Sequence, residues 1–234
     1  MTSAAAAPPA LLLVHGAWHG PWCWDRLVNE LSGVDVHTVA LPSAGPDPAV
    51  LGDLYGDAAV VRAAIAELGR PVVVCGHSYG GIVITEAAAE LPNVVGLVYL
   101  CAFQLDVGEG LADVAGPRVW QHVDEATGSI SVAGATEVFY GDVDPALVVD
   151  VLPRIGHQSV ASFQQRLTRA AWHTVPSTYV VCENDRAIPL EAQQAMARRA
   201  KRALRMPTSH SPFLSRPGEL ADLLRDELAA ARLR

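Results

Sequence analysis

The segment Gly76-His77-Ser78-Tyr79-Gly80 places a serine between two glycines, directly after the apolar run Pro71 to Cys75 and before the helical run Gly81 to Glu90. A serine on a sharp strand-to-helix turn needs small residues two positions away on either side, so that strained backbone packs closely while the hydroxyl points outward. Ser78 is therefore the candidate nucleophile. The helix N-terminus beneath it supplies a field that favours a developing anion.

A nucleophilic serine needs a base, and the chain offers eight histidines. His210 is the best placed, in the loop Pro207 to Pro212 between the last apolar run and the last helical one; at the carboxyl edge of a parallel sheet such a loop reaches the nucleophile turn. His77 should point elsewhere on the tight turn, and His157 and His173 lie in a long intervening segment. The orienting acid should follow a strand and come between serine and base in chain order, which fits Asp185 in Glu183-Asn184-Asp185-Arg186. Asp106 and Glu183 are its rivals. The acid would fix the tautomer of His210 and stabilise the imidazolium without taking its proton.

Two backbone donors should face the developing oxyanion. The loop His15-Gly16-Ala17-Trp18-His19-Gly20 follows the first apolar run, and the pair expected is the amide of Ala17 with that of Tyr79, immediately after the serine. His15 and His19 have the spacing of two zinc ligands on a helix, but they sit in a loop punctuated by glycine and proline with no glutamate after the first, so no metal is expected. No Gly-x-Gly-x-x-Gly follows the first apolar run, so no dinucleotide or other cofactor is expected either. Candidate substrate contacts are Gly16 and Trp18 in this loop, with Trp120 and Phe139 further along.

The elements that position these residues are written in the apolar pattern. Runs of branched aliphatics at Ala10 to Val14, Val34 to Leu41, Pro71 to Cys75, Val94 to Cys101, Thr178 to Cys182 and Ala203 to Met206 alternate with segments of helical period. That alternation predicts an α/β fold, a mostly parallel, doubly wound sheet with crossover helices. Trp24, Leu27, Val28 and Leu31 make one apolar face, Val60, Val61, Ile65 and Leu68 a second, and Leu220, Leu223, Leu224 and Leu228 a third, which is expected to pack on its own sheet. Residues 104–176 interrupt the alternation without a strand of core length. A short helix is expected at Asp144-Pro145 and a longer one over Ser159 to Ala171, and a segment of this size reads as a functional lid. The expected layout is a tail over 1–9, a core over 10–103 and 177–234, and a cap over 104–176.

Composition narrows the function classes. Of 234 residues, 50% are hydrophobic, enough for one domain with a sizeable core. The net charge of −8 gives no basic surface for nucleic acid, since the short run Arg198 to Arg205 reads as the solvated end of a helix. Lys201 is the only lysine and has arginine neighbours, which leaves Schiff-base chemistry without a desolvated amine. The N-terminal alanine-rich stretch has no basic region, and its apolar run is too short for a signal or spanning helix, so a cytoplasmic protein without a membrane partner is expected. Cys23, Cys75, Cys101 and Cys182 are widely spaced and read as buried free thiols.

These motifs together resemble the α/β-hydrolases, over the chain from about residue 10 to its end. The pattern His15-Gly16-x-x-His19-Gly20 followed by Trp22-Cys23-Trp24 is similar to the branch that holds plant methylesterases, hydroxynitrile lyases and bacterial esterases. The resemblance implies a helical cap over the serine. The lyases carry a threonine after the first histidine and a lysine after the catalytic one; here those places hold Gly16 and Ser211, which favours the esterase members. The implied activity is cleavage of a small or medium apolar carboxylic ester through an acyl-enzyme. A thioesterase, lactonase, cyclase or acyl transferase would use the same residues, and a ligand receptor on this scaffold is the reading from another class. The partner is then a small-molecule substrate, and the chain either a monomer or a homodimer.

Overall fold

The computed structural model describes residues 8–116 and 118–232. Its strands are β1 (Ala10–Val14), β2 (Val36–Val39), β3 (Ala44–Gly45), β4 (Val72–His77), β5 (Val94–Leu100), β6 (Gln121–Asp124), β7 (Ser129–Val132), β8 (His157–Ser159), β9 (Ser177–Cys182) and β10 (Arg202–Met206). Its α-helices are α1 (Asp25–Glu30), α2 (Leu54–Leu68), α3 (Gly80–Ala87), α4 (Leu111–Ala115), α5 (Ala135–Phe139), α6 (Pro145–Val151), α7 (Val160–Gln164), α8 (Leu190–Ala197), α9 (Pro212–Ser215) and α10 (Pro217–Arg232).

Six strands form one parallel sheet in the order β10-β9-β5-β4-β1-β2. In β1, β4 and β9 every residue is buried, as continuous aliphatic runs require when helices cover both faces. The edge strands β2 and β10 carry the half-buried and exposed residues instead. From β1 the chain steps out to β2 and then returns to β4 on the other side of β1. This reversal opens a crevice at the carboxyl ends of β1 and β4, the place where ligands bind in open parallel sheets. The loop after β1 and the serine turn after β4 both emerge there.

All six expected strands form. β4 runs two residues past its expected end, through Gly76 and His77 to the serine itself, and β2 is shorter than its apolar run. On α10, Leu220, Leu224 and Leu228 are buried, and the helix packs against α1, β4 and β5 of its own chain. The last two residues lie outside those described. So does most of the expected tail; Pro9 is already buried, so packing begins before residue 10. Asp53 accepts from the Gly56 amide to cap α2 at its start, and Gly69 ends it in the left-handed region at φ +56°. The four cysteines are buried and free, and no helix among the described residues is long and apolar enough to cross a membrane.

The segment between β5 and β9 departs from the expected helical cap. It contributes β6, β7 and β8 to an antiparallel sheet that is completed by β3, a two-residue strand from the core. Asp124 accepts from the Ala126 amide at 2.9 Å and Gly128 turns at φ +64°, which closes the β6–β7 hairpin. The helix expected over Ser159 to Ala171 stops after one turn, at Gln164. Side-chain contacts with the core take over: the Gln165 amide group accepts from Leu54 N–H at 2.8 Å and donates to Asp53 at 3.0 Å. Buried Glu86 of α3 then accepts from the amides of Thr168 and Arg169 at 2.8 and 3.1 Å and from the Thr168 hydroxyl. Helix propensity yields to these tertiary bonds.

Candidate active site

Ser78 sits on the turn between β4 and α3 with φ +52°, a left-handed conformation that costs a side-chain-bearing residue about 1–3 kcal/mol and persists only where packing imposes it. The packing is visible in the glycines. A Cβ on Gly76 would lie 2.6 Å from the Gly80 carbonyl oxygen, and one on Gly80 would lie 2.6 Å from the Val14 carbonyl oxygen of β1. The amides of Gly81 and Phe103 both donate to the Ser78 carbonyl, at 3.0 and 3.1 Å, and hold the turn from two sides. The loop after β1 presses just as closely, since a Cβ on Gly16 would meet Ser78 Cβ at 2.9 Å and His77 Nδ1 at 2.8 Å.

His210 lies between β10 and α9 and is 2% exposed. Its Nδ1 donates to Asp185 Oδ2 at 2.7 Å. The other carboxylate oxygen of Asp185 accepts from the amides of Ala187 and Ile188 at 2.7 and 2.9 Å, and Oδ2 accepts in addition from Gln193 Nε2 at 3.1 Å. Four donors on two oxygens define an ionised acceptor that cannot rotate, and they fix the imidazole with Nε2 as its proton-accepting nitrogen. The rivals are engaged elsewhere. Asp106 pairs with His173 at 3.0 Å and Glu183 with Arg205 at 3.0 Å.

His77, read from sequence as pointing away, holds the His210 loop: its Nε2 donates to the His210 carbonyl at 2.8 Å, and the two rings lie 4.5 Å apart. Cys101 Sγ donates to the same carbonyl at 3.4 Å. His77, Cys101 and His210 are the one group of metal-ligating types whose donor atoms converge among the described residues, within 4.8 Å of one another. His77 and Cys101 both donate to the His210 carbonyl, and His210 spends its Nδ1 on Asp185. His15 and His19 are likewise committed. His15 donates to the Gly16 carbonyl at 2.9 Å and accepts from the Leu41 amide at 3.1 Å; His19 donates to the Ala17 carbonyl at 2.8 Å and accepts from the Tyr140 hydroxyl at 2.8 Å. Burial pushes these imidazoles down to about 4 and about 3, so both are neutral.

Ser78 opens into a narrow, partly enclosed cavity that Ala17, Trp18, Tyr79, Trp120 and Phe139 also line. Gly16 stands beside this cavity, against the serine turn. The amides of Ala17 and Tyr79 have no hydrogen-bond partner among the described residues. Trp18, Trp120, Phe139 and Phe163 form an aromatic box with ring centroids 5.6–5.8 Å apart, and the Phe139 ring lies 5.6 Å from that of His210. Sequence reasoning did not single out Phe163, nor Ala187 and Ile188, which lie within the acid segment Glu183 to Pro189. It also missed Arg118, the charged residue of an otherwise apolar and neutral lining. No local pattern marks an arginine in an irregular loop as facing a cavity.

Comparison with known proteins places the chain in a family. Residues 11–223 match the model of the alpha/beta hydrolase family. The chain is 34% identical to the alpha/beta hydrolase nvfD of Aspergillus novofumigatus, over 95% of this chain and 98% of that one. It is 26% identical to Methylesterase 17 of Arabidopsis thaliana, over 93% and 90%. A pyrethroid hydrolase from Sphingobium faniae has the same fold, with a TM-score of 0.81 at 23% identity, covering 95% of this chain and 98% of that chain. With a family match across nearly its whole length and a serine turn, a histidine–carboxylate pair and an aromatic cavity at the crevice of its sheet, this chain belongs to the α/β-hydrolase family.

Proposed function

We propose that the protein is a serine carboxylic-ester hydrolase acting through an acyl-enzyme. The observation that carries this reading is the buried Asp185–His210 pair, whose imidazole lies against Phe139, a wall of the cavity that Ser78 lines from its strained turn. Ser78 Oγ attacks the ester carbonyl while His210 Nε2 takes its proton, and the Asp185 carboxylate stabilises the imidazolium. The amides of Ala17 and Tyr79 receive the negative charge on the carbonyl oxygen. His210 returns the proton to the departing alcohol; water then attacks the acyl-enzyme by the same route and releases the acid and Ser78. The segment over residues 104–176 acts as a cap, and its aromatic side chains, with Trp18, select a small or medium apolar ester. Oxygen esters are favoured over thioesters because several relatives are methylesterases; the residues of the site would serve either.

Intact-protein mass after brief fluorophosphonate treatment tests the nucleophile. The expected result is one adduct on the wild type and none on Ser78→Ala, with turnover of p-nitrophenyl butyrate lowered roughly 10⁴-fold or more in that variant. Absence of an adduct on folded wild-type protein would turn the assignment to a ligand receptor. A higher kcat/KM for the thioester than for the oxygen ester of the same acid would turn it to a thioesterase.

A further inference from the structure

A buried polar network joins the serine turn, the loop after β1 and the β3–β8 sheet. At its centre is Asp57 of α2, which is 0% exposed. Asp57 accepts from the Ser43 amide at 2.9 Å, from the Ser43 hydroxyl and from the Tyr79 hydroxyl at 2.7 Å. Ser43 in turn accepts from the side-chain amide of Gln158 on β8 at 2.8 Å, and the same Nε2 donates to Ser162 at 2.7 Å. Gln158 Oε1, at the far end of this relay, accepts from the Trp18 amide at 3.3 Å. Both Gln158 and Ser43 are 0% exposed, so every member has traded water for these partners.

Trp18 and Tyr79 are the residues whose backbone frames the proposed oxyanion hole. Trp18 directly follows Ala17 and is held in the left-handed region, at φ +63°. A bulky aromatic residue does not rest there unless its surroundings impose it. Three bonds impose it, all from the inserted segment: its amide to Gln158, its carbonyl from the Gly156 amide at 2.9 Å, and its indole N–H to the Ile130 carbonyl at 2.8 Å. Tyr79 is tied by its hydroxyl to Asp57 and lines the cavity.

Resting on the esterase reading above, we propose that Gln158 and Asp57 are positioning residues of the oxyanion hole. Gln158 sets the Ala17 amide through Trp18, and Asp57 sets the Tyr79 amide through its ring hydroxyl. The inserted segment therefore completes the catalytic centre as well as covering it. An oxyanion donor acts fully only when preorganised, and displacements of about 1 Å cost up to a hundredfold in rate.

Gln158→Met keeps the volume and removes the acceptor of one buried amide, because Ser43 and Ser162 retain their own acceptors in Asp57 and the Ser159 carbonyl. Tyr79→Phe removes only the hydroxyl and carries the test if Gln158→Met does not fold. Each variant is expected to lower kcat for p-nitrophenyl butyrate by about tenfold to a hundredfold with KM within about twofold. Affinity for a trifluoromethyl ketone, which adds the serine and places an oxyanion in the hole, should fall by the same factor. Hydrogen exchange in the peptide over residues 15–20 should quicken in Gln158→Met. Unchanged kcat and inhibitor affinity in a folded variant, or a loss confined to KM, would overturn the proposal. If the wild type neither turned over esters nor took the fluorophosphonate, the esterase reading would fail by itself. Exchange at residues 15–20 would then decide the positioning claim, and an unchanged rate in Gln158→Met would overturn it.

Discussion

Replacing Asp185 by asparagine removes one charge and puts an NH2 group in place of one oxygen, and the surroundings dictate where that group goes. If the amide nitrogen faced the amides of Ala187 and Ile188, two donors would oppose it at 2.7 and 2.9 Å. The oxygen must therefore stay there, and the nitrogen must take the place of Oδ2, toward His210 Nδ1 and Gln193 Nε2. Gln193 cannot rotate to relieve the second contact, because its Oε1 accepts from the Cys182 amide at 3.0 Å and its Nε2 donates to the carbonyls of Cys182 and Ile188 at 3.1 and 2.9 Å. His210 can adjust only by accepting at Nδ1 and carrying its proton on Nε2, the tautomer that cannot take a proton from Ser78. A wrong tautomer costs about 10⁴-fold in kcat, or about 5 kcal/mol of transition-state stabilisation. The opposed donors at Gln193 cost about 1–3 kcal/mol of stability, which lowers the melting temperature by roughly 2–12 °C for a chain of this size. The assay is p-nitrophenyl butyrate hydrolysis at pH 8 beside a thermal melt. Asp106→Asn and Glu183→Gln serve as controls and should keep kcat within about threefold, since their carboxylates pair with His173 and Arg205. A folded Asp185→Asn within tenfold of wild type would refute the assignment of the acid.

Further predictions follow from packing and charge. Gly16→Ala places a methyl 2.8 Å from His77 Nδ1, and His77 cannot retreat because it holds the His210 carbonyl. The strain should cost about 1–3 kcal/mol and lower kcat more than it raises KM; full activity at an unchanged melting temperature would contradict it. Burial lowers the imidazoles of His15, His19 and His77 below their ordinary value near 6.5, while it raises the Asp57 carboxyl to about 6. Between pH 4.5 and 6 the unfolded chain then binds three histidine protons that the folded chain refuses, and the folded chain binds one at Asp57. Unfolding should take up about two protons net, so stability falls by roughly 3 kcal/mol per pH unit on acidification through that window, and denaturant titrations at pH 5 and 6 measure it. Arg118→Gln should lower kcat/KM for a half-ester bearing a distal carboxylate about tenfold relative to the neutral ester of equal length; an unchanged ratio would remove Arg118 from substrate selection.

The sheet and the serine turn were legible in the sequence because their signals are local. Continuous aliphatic runs from Ala10 to Val14 and from Pro71 to Cys75 can only be strands covered on both faces, and the glycines around Ser78 record contacts within a few residues or with the adjacent strand. The histidine loop was legible for a related reason, since a parallel sheet delivers every loop after a strand to one edge. Among the acids, chain order already favoured Asp185, but its two rivals stayed open. Asp185, Glu183 and Asp106 all follow a strand, and only the folded chain gives Asp185 four donors and the other two separate partners in Arg205 and His173. The inserted segment was the least legible. Its sheet needs a two-residue strand from the core, and its bond between Gln158 and Ser43 joins residues 115 apart in sequence. A short strand gains its stability from partners and not from its own propensity, and a buried carboxylate such as Asp57 is tolerated only where distant donors converge on it. Local period thus determined the scaffold and the turn that carries the proposed nucleophile, and long-range hydrogen bonding decided which carboxylate meets His210, which side chains wall the cavity and which buried network stands behind it.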